Sequence, residues 1–491
     1  MYTLLVIAML ALPLLAGLAE ACMGKSGRKA QNVLAVAAFT AEAVLYCILL
    51  TVEDGNEFEM FRMTDTLVAA FRLDSISRIF LALVCFGFLL SGVFATKYME
   101  HSERQNSFFA FLFFSEFALV GMDNAKNLIT LYMFFEMATL LSIPLVLHDR
   151  TPEAIHASLK YLFYSVGGAF LGLLAIFVLA RYTTTLDFTA GGTLDMSKIS
   201  GHETLILVSV FLGVVGFGAK AGMYPLHGWL PVAHPVAPAP ASAVLSGIIA
   251  KAGVLLILRV IFYIVGTAFL TGTWVQIAWI ALALLTVFMG SMMAYREDVF
   301  KKRLAYSSVS QISYILTGLF FMTKEGVQGG LLQVLFHCCV KICLFLIAGS
   351  FIVNTGKTKV SEFRGFGKSM PITLWSFTIA SLSLIGIPPA AGFVSKWYLA
   401  LGSLNSGIEV LNWLSPVILL VSALLTAAYL LPITISGFFP GKDFKAPARN
   451  DEGGIKMLLP IVLLAAMSLV MGIAAGPIVD FCGSIASSIV F

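Results

Sequence analysis

Residues 204–264 read TLILVSVFLGVVGFGAKAGMYPLHGWLPVAHPVAPAPASAVLSGIIAKAGVLLILRVIFYI and contain two apolar runs, 204–227 and 238–264. Each run is long enough to cross a lipid bilayer as a helix, yet each carries a lysine, Lys220 in the first and Lys251 in the second. Glycines and prolines also interrupt the first run around its lysine. Irregular backbone at membrane depth is tolerated only where it is buried in protein or lines a hydrated cavity. The stretch therefore predicts a helical membrane protein with a charged interior.

The composition of the whole chain agrees with this prediction. Of 491 residues, 59% are hydrophobic and 12% are charged, and the mean hydropathy is +0.93. Soluble domains carry about 25% charged residues, so the composition excludes a soluble, disordered or collagen-like chain and a disulfide-stapled secreted domain. The net charge of +4 is scattered over short loops with no basic block, so we expect lipid and no nucleic acid as a partner.

Counting apolar runs of about 20 residues predicts an all-α polytopic bundle of about 14 transmembrane helices. No run shows the alternation of a strand, and an open sheet in lipid would leave backbone groups unpaired. The first run resembles a signal peptide, but its basic residues follow it, so we interpret it as a helix. The expected spans are 2–22, 31–52, 73–96, 107–121, 125–147, 157–181, 204–227, 238–264, 272–292, 300–322, 328–352, 372–403, 412–438 and 455–476.

The distribution of lysine and arginine predicts how the helices are oriented. Nineteen of the 31 basic residues fall in alternate loops on one side, and six fall on the other. The largest groups on the basic side lie within 25–29, 296–303, 357–368 and 442–456, whereas the loop 53–65 on the other side is acidic. Basic loops face the cytoplasm. We therefore expect a multi-pass protein of the cytoplasmic membrane with both termini on the non-cytoplasmic side.

A second interrupted run divides the chain into two similar halves. Residues 381–397, SLSLIGIPPAAGFVSKW, place Gly386, two prolines and Gly392 just ahead of Lys396. Paired broken helices in two halves point to a transport site between repeats. The predicted organisation is an N-terminal three-helix segment (1–100), two inverted five-helix repeats (107–264 and 272–438) whose fourth helix is broken, and a C-terminal helix (439–491).

Six basic residues remain in or at the edges of the spans, and four of them are lysines. The arginines, Arg78 and Arg259, suit either snorkelling towards the membrane surface or structural anchoring. A charge near a helix centre costs roughly 2.5–3.5 kcal/mol, so four unpaired lysines would cost about 10 kcal/mol. They must therefore face protein, water or a carboxylate. The lysines are Lys220, Lys251, Lys341 and Lys396, and the candidate acids are Glu42, Glu116 and Glu136.

These charges suit proton movement, although a static buried ion pair that fixes helix register is the alternative. Burial favours the neutral amine and a nearby carboxylate favours the ammonium, so a pair that forms and breaks binds and releases a proton. His337 and Lys341 are four residues apart and share a helix face, which suits a relay between the halves. His227 and His234 flank the first break, where a cap or turn role competes with proton uptake.

Several segments together resemble a known family of proton-channel subunits. They are FFEMATLLSIPLVL (134–147), residues 220–260 of the opening stretch, EDVFKKRLAYSSVSQISYI (297–315), HCCVKICLFLIAGS (337–350) and GIPPAAGFVSKWYLA (386–400). The family comprises the large membrane-arm subunits of respiratory complex I, the Mrp-type Na⁺/H⁺ antiporters and the energy-converting membrane-bound hydrogenases. The resemblance covers nearly the whole chain and implies a 14-helix core with two inverted repeats.

By motif match, the resemblance implies roles for individual residues. Glu136 and Lys220 resemble the family's glutamate–lysine pair, Lys251 the central connecting lysine, His337 and Lys341 the relay, and Lys396 the terminal proton-exit residue. A lysine at the terminal position is typical of the Mrp and hydrogenase branch rather than of one complex I subunit, in which it is glutamate. Glu42, Glu116, His227 and His234 are assigned accessory positions.

The resulting hypothesis is a proton-translocating subunit of a multi-subunit ion-pumping complex. Its expected partners are homologous antiporter-like subunits and small hydrophobic subunits. The transported ion is H⁺, and whether Na⁺ is also transported is left open. The alternatives are a channel subunit of an NADH:quinone oxidoreductase, a quinone-binding or haem-binding redox subunit, and a scaffold with a vestigial channel. Seven cysteines form no CxxC pair, and one mid-span histidine is too few for bis-haem ligation. We therefore expect no catalytic residue, metal or cofactor in this chain.

Overall fold

The computed structural model describes residues 1–24, 27–62, 64, 68–441 and 452–490. Thirteen helices in this part of the chain are long and apolar enough to span a membrane, and the predicted all-α membrane fold is confirmed. Five charges that contribute to the predicted orientation lie outside the described residues; they are Lys25, Asp65, Lys442, Lys445 and Arg449.

The helices follow the predicted spans closely. The first nine are α1 (Tyr2–Cys22), α2 (Arg28–Leu49), α3 (Ser75–Tyr98), α4 (Gln105–Asp123), α5 (Leu128–Val146), α6 (Pro152–Tyr182), α7 (Glu203–Ala221), α8 (Leu230–Val236) and α9 (Ala239–Val265). The others are α10 (Trp274–Arg296), α11 (Phe300–Phe321), α12 (Lys324–Thr355), α13 (Pro371–Ile385), α14 (Ala391–Leu404), α15 (Leu411–Phe438), α16 (Ile455–Ile473) and α17 (Gly476–Ile489). Short helical turns occupy several of the loops between them.

Both predicted helix breaks are present. Helix α7 ends at Ala221, inside the predicted seventh span 204–227, and the short α8 follows just beyond that span. The twelfth span is divided into α13 and α14. Helices α7 and α13 each end at a glycine in the left-handed conformation, Gly222 with φ +80° and Gly386 with φ +92°. Glycine adopts this conformation without a steric penalty, so these two residues end the helices where the lysines lie.

The C-terminal segment differs from the prediction of a single helix after residue 439. Its described residues form α16 and α17, with Gly476 and Pro477 at the start of α17. Proline is favoured in the first turn of a helix because its missing N–H needs no partner there. The chain therefore turns near residue 475 and begins a new helix.

A short β-hairpin corrects the expectation that the chain contains no strand. Strands β1 (Glu57–Arg62) and β2 (Val68–Arg72) pair antiparallel between α2 and α3. The edge of β2 is also bonded to the α4–α5 connection, because the Lys126 N–H donates to the Ala70 carbonyl (2.9 Å). The hairpin lies outside the apolar spans, so its backbone groups are not exposed to the lipid core that forbids open sheets.

Three helices form the centre of the bundle. The most apolar 18-residue stretches of α9, α11 and α12 are 100%, 94% and 89% buried, against 33% for α16. Such completely covered apolar helices are typical of the core of a large bundle. Lys251, His337 and Lys341 all lie on these central helices, so they face protein and not lipid.

Both intramembrane arginines form ion pairs, which favours structural anchoring over snorkelling. Arg259 on α9 forms a two-pronged ion pair with Asp74, the N-cap of α3, at 2.6 and 2.8 Å. The Arg259 side chain is 2% exposed and that of Asp74 is 21% exposed. Arg78 pairs with Asp54 at 2.7 Å, but there the carboxylate is 41% exposed.

Replacing Asp74 with alanine is expected to lower the free energy of unfolding by about 3 kcal/mol, because it leaves the Arg259 guanidinium buried without its partner. The measurement is thermal or denaturant unfolding of the detergent-solubilised protein. Asp54→Ala is the matched control, since an exposed pair contributes about 1 kcal/mol or less. Equal losses in the two variants would show that the Arg259 pair is not an anchor.

Candidate functional site

Lys220 lies in the last turn of α7, and its side chain is completely buried. Its Nζ donates hydrogen bonds to the Thr139 Oγ1 on α5, at 3.0 Å, and to the phenol oxygen of Tyr161 on α6. The Tyr161 hydroxyl in turn shares a hydrogen bond with the Ser142 Oγ at 2.8 Å. Neutral hydroxyl groups therefore hold the amine, and no carboxylate contacts it among the described residues.

Glu136, the predicted partner of Lys220, lies on α5 one turn before Thr139 and is half-buried. The two charges attract each other through space. In the described structure no carboxylate oxygen of Glu136 lies within 4.0 Å of the Lys220 Nζ, so the two groups do not form an ion pair. The carboxylate and the ammonium are thus neighbours that are separated in this conformation.

Lys251 lies on α9 at a change of helix type. Residues Leu245–Ile249 form a π-helical turn, and the Lys251 Nζ donates a hydrogen bond of 2.7 Å to the Ser246 carbonyl in that turn. π-Turns inside α-helices release backbone carbonyls and are frequent at functional sites. Gly253, which has no side chain, lets α9 lie against α7, since a Cβ there would be 3.2 Å from the Lys220 Cβ. Close packing therefore places the two lysine-bearing helices side by side.

Lys341 on α12 is completely buried and is bonded to α11. Its Nζ donates to the Leu304 carbonyl, at 3.0 Å, and to the Ser307 Oγ. Ser308 also donates to the Leu304 carbonyl (3.0 Å), and its Oγ shares a hydrogen bond of 2.6 Å with the Ser246 Oγ. Ser246 and Ser308 thus link the carbonyl groups that hold the two lysines. This pair of hydroxyls is called the serine bridge below.

His337 lies at the junction of the buried lysines. It is 2% exposed, and neither ring nitrogen has a hydrogen-bond partner in the described chain. Lys251, Lys341 and Lys396 all act on it electrostatically. An imidazole with two free nitrogens can accept a proton at one and release a proton from the other.

Lys396 lies in α14, just beyond the second break, and is half-buried. Its Nζ donates hydrogen bonds of 2.7 Å to the carbonyls of Leu384 and Ile385 at the end of α13. A cation is stabilised at this end of a helix by the unpaired carbonyls and the helix dipole. The lysine therefore caps the half-helix that the break creates.

Lys301 is a buried lysine that was not predicted from the sequence, because it was counted with the neighbouring loop charges. It is 6% exposed, and its Nζ donates to the carbonyls of Pro235 (3.1 Å) and Ala237 at the end of α8. It resembles Lys396 in capping a half-helix. The signal in the sequence was weak, since only the pattern FKKRLAY distinguishes a residue inside α11 from one in the loop.

His234 is near enough to Lys301 and Lys341 that both act on it electrostatically. The ring is completely buried, stacks on Phe345 with 4.7 Å between ring centres, and has no hydrogen-bond partner at either nitrogen in the described structure. Only its backbone carbonyl takes part in the turn, by accepting from the Ser242 Oγ. The side chain is therefore not explained by a cap or turn role.

The other accessory residues lie apart from the lysines. Glu42 on α2 and Glu116 on α4 were candidate partners of the buried lysines. The charged group that acts on Glu116 is instead Glu42. His227 is half-buried in the first break and stacks on Tyr224. Neither Glu42 nor Glu116 forms an ion pair in the described chain. Of the three candidate acids, only Glu136 therefore lies beside a buried lysine.

The neutral partners of the lysines were not anticipated from the sequence. Thr139, Tyr161, Ser307 and the serine bridge hold or connect the amines, but hydroxyl side chains inside apolar helices are common and carry no distinctive pattern. The structure thus supplies buried lysines held by hydroxyl and carbonyl groups, of which Lys251 and Lys341 are linked through the serine bridge, with two buried histidines beside them. Such an arrangement can exchange protons step by step.

Comparison with protein families bears out the resemblance seen in the sequence. Residues 125–426 match the family described as NADH:quinone oxidoreductase/Mrp antiporter, TM. Residues 64–109 match the family described as NADH-ubiquinone oxidoreductase (complex I), chain 5 N-terminus.

Individual relatives come from different complexes. The chain is 34% identical over 409 residues to an NADH-quinone oxidoreductase subunit (type N) of Desulforudis audaxviator, covering 82% of this chain and 80% of that protein. It is 32% identical over 393 residues to a Na⁺/H⁺ antiporter subunit (type D) of Alkalihalophilus pseudofirmus, covering 79% and 77%. A chain of the archaeal membrane-bound sulfane sulfur reductase has the same fold, with a TM-score of 0.88 at 23% identity over 99% of this chain and 97% of that one.

Proposed function

The chain belongs to the NADH:quinone oxidoreductase/Mrp antiporter family, and we propose that it translocates protons as one membrane subunit of a multi-subunit ion-pumping complex. The observation that carries the proposal is the series of buried lysines held by neutral oxygen atoms. A buried ammonium without a paired carboxylate is costly, so each such lysine exchanges its proton readily when a neighbouring charge changes.

The proposed path begins at Glu136 and Lys220 and continues through Lys251 to His337 and Lys341. It ends at Lys396, which faces the second break. Protonation of one lysine raises the electrostatic cost of protonating the next, so charge advances in steps. Lys301 and His234 form a second uptake branch that joins the path at Lys341.

The symmetry of the path supports the division into two inverted repeats, 107–264 and 272–438. Each repeat contributes one broken helix with a lysine at the break, Lys220 in the first and Lys396 in the second. The central helices then connect the two half-paths, α9 and α11 through the serine bridge and α12 through Lys341 and His337. We also propose that both termini lie on the non-cytoplasmic side of the cytoplasmic membrane, because the basic loops are expected to face the cytoplasm.

The partners proposed for this chain are other antiporter-like subunits and small hydrophobic subunits. Two of the relatives carry the names of an NADH-quinone oxidoreductase subunit and of a Na⁺/H⁺ antiporter subunit, at nearly equal identity. The lysine at position 396 favours an Mrp or hydrogenase complex, with an NADH:quinone oxidoreductase as the alternative. Lipid covers the outer helices.

Purification of the native complex through a tag on this chain tests the proposal. We expect the complex, reconstituted in vesicles loaded with a pH-sensitive dye, to move protons across the membrane when its substrate or a Na⁺ gradient is supplied. Iron–sulfur subunits in the preparation would identify an oxidoreductase, and small hydrophobic subunits alone would identify an antiporter. A complex that turns over without moving protons would contradict the proposal.

The serine bridge provides a smaller, specific test of the central connection. Ser308→Ala removes the hydroxyl that joins Ser246 to the Leu304 carbonyl, and we expect proton transport to fall about fivefold, since one hydrogen bond contributes about 1 kcal/mol. Ser308→Thr keeps the hydroxyl and should restore transport. Ser313→Ala is the control, because Ser313 is buried on the same helix but bonds only to its own turn, at the Val309 carbonyl. Equal effects at positions 308 and 313 would exclude the bridge.

A further inference from the structure

Two buried carboxyl groups lie outside the lysine path. Glu42 on α2 and Glu116 on α4 are each 0% exposed, and none of their four carboxyl oxygens has a hydrogen-bond partner in the described structure. Buried polar groups are almost always paired. An acid that is completely buried and unpaired therefore requires a ligand or a proton of its own.

An aromatic layer shows how the two acids are brought together. The ring of Phe39 on α2 stacks on Phe113 of α4 with 4.2 Å between centres, and it contacts Phe88 of α3 at 6.4 Å. Because these rings touch, the three helices are level with one another at this point. Moving three residues along each helix, towards the same end of the bundle, therefore gives a second layer of neighbouring side chains about 4.5 Å away.

That next layer contains Glu42, Cys85 and Glu116. Glu42 is three residues after Phe39, and Glu116 is three residues after Phe113. Cys85 is three residues before Phe88, on the helix that runs in the opposite direction. These three side chains are called the carboxyl layer.

The charges around the carboxyl layer offer no counter-ion. Glu42 acts electrostatically on Glu116, and both acids act on the Cys85 thiol, as does Asp123 two turns further along α4. Helix α1, which also packs in this region, contributes the acid Glu20, whose oxygens are unpaired as well. The guanidinium of Arg259 acts on Asp123 but is itself paired with Asp74.

No lysine or arginine in the described chain forms an ion pair with Glu42 or Glu116. Two carboxylates in a shared apolar layer cannot both be ionised, because each charge opposes the other and neither is solvated. Hard metal cations in proteins take about six oxygen ligands, whereas the carboxyl layer adds only the Cys85 thiol to the two carboxyl groups and the next layer consists of phenyl rings. A proton suits the site better than a cation does.

We propose that Glu42 and Glu116 form a proton-binding site, separate from the lysine path, in which at least one of the two buried carboxyl groups is protonated. The site is built by the N-terminal helices and α4. It does not depend on whether the lysines conduct. Asp123, also buried and unpaired in the described structure, is the next carboxyl group towards the hairpin and the natural exchange partner of the site.

Infrared difference spectroscopy of the purified native complex tests the site at neutral pH. The spectrum of the wild type minus that of Glu116→Gln is expected to contain the C=O band of a protonated carboxylic acid, and Glu42→Gln should change the same band. Glu53→Gln, at an exposed position, is the matched control and should remove no such band. If one glutamine variant fails to assemble, the other still reports on the proton of the site.

Three results would overturn the proposal. The first is an unchanged carboxylic-acid band in both variants, which would mean that both groups are ionised. The second is a band that disappears when Na⁺ is added, which would identify a cation site instead. The third is a band that is lost in Lys220→Ala but unchanged in the two glutamine variants, which would assign the proton to the lysine path. Proton transport is measured on the same samples, so failure of that path is recorded separately.

Discussion

Replacing Lys220 with alanine is expected to reduce proton transport by about 100-fold, the scale set by loss of a positioned acid–base group. The reason is that Lys220 is the only amine bonded to Thr139 and Tyr161 in the described structure. Without it, the path from Glu136 to α9 has no group that carries a proton. The measurement is dye-detected acidification in vesicles that contain the native complex.

The arginine variant separates charge from proton exchange. Lys220→Arg keeps a positive charge at the break, but a guanidinium does not release its proton near neutral pH. We therefore expect Lys220→Arg to be as inactive as the alanine variant. If the lysine only balances charge, the arginine variant will transport protons normally, and the proposed role will be wrong.

Lys198→Ala is the matched control for both variants. Lys198 is exposed on the loop before α7, and within the described residues its ion pair is with Asp195, three residues earlier, at 3.0 Å. Its removal is expected to leave transport unchanged. The amount of co-purifying subunits should be equal in all these variants, which shows that the complex is assembled.

Glu136→Gln is expected to lower proton transport by about 10- to 100-fold. The substitution keeps the size of the side chain but removes the negative charge that acts on Lys220. In the structure the two groups are neighbours without an ion pair, so the carboxylate is free to accept a proton or to approach the ammonium. Either step needs an ionisable acid at this position.

The control for Glu136 is Glu153→Gln, because Glu153 is an exposed acid in the first turn of α6. Glu136→Asp should retain part of the transport, since it keeps the charge on a shorter side chain. Full activity of Glu136→Gln, with the complex assembled, would remove this residue from the path. The path would then begin at Lys220 or at the Lys301–His234 branch.

The membrane helices could be predicted from the sequence because about 20 consecutive apolar residues mark each of them. An apolar run of 20 residues has one stable outcome in lipid, and the glycines and prolines near Lys220 and Lys396 mark the two breaks. Burial of the lysines followed from the same energetics. Most helix ends agree with prediction to within a few residues, as in α10, predicted over 272–292 and observed over Trp274–Arg296. Helix α7 ends before the predicted end of its span, and α8 and α17 have no predicted span of their own.

The partners of the buried charges could not be predicted, because they depend on how distant helices pack. The lysines were expected to face protein, water or a carboxylate, with Glu136 as the partner of Lys220. The structure instead gives Lys220 a threonine and a tyrosine and gives Lys341 a serine and a carbonyl. Lys301 was assigned to a loop because its run is basic. The hairpin was missed because β2, with five residues, is too short to show a pattern.

The most direct test of the proposed path compares its four lysines in one assay. Alanine variants of Lys220, Lys251, Lys341 and Lys396 are placed singly in the native complex, with Lys198→Ala as the control, and proton transport into dye-loaded vesicles is recorded. We expect each of the four variants to lose transport by about 100-fold, while the control keeps it. Normal transport in an assembled complex that lacks Lys220 or Lys251 would contradict the path.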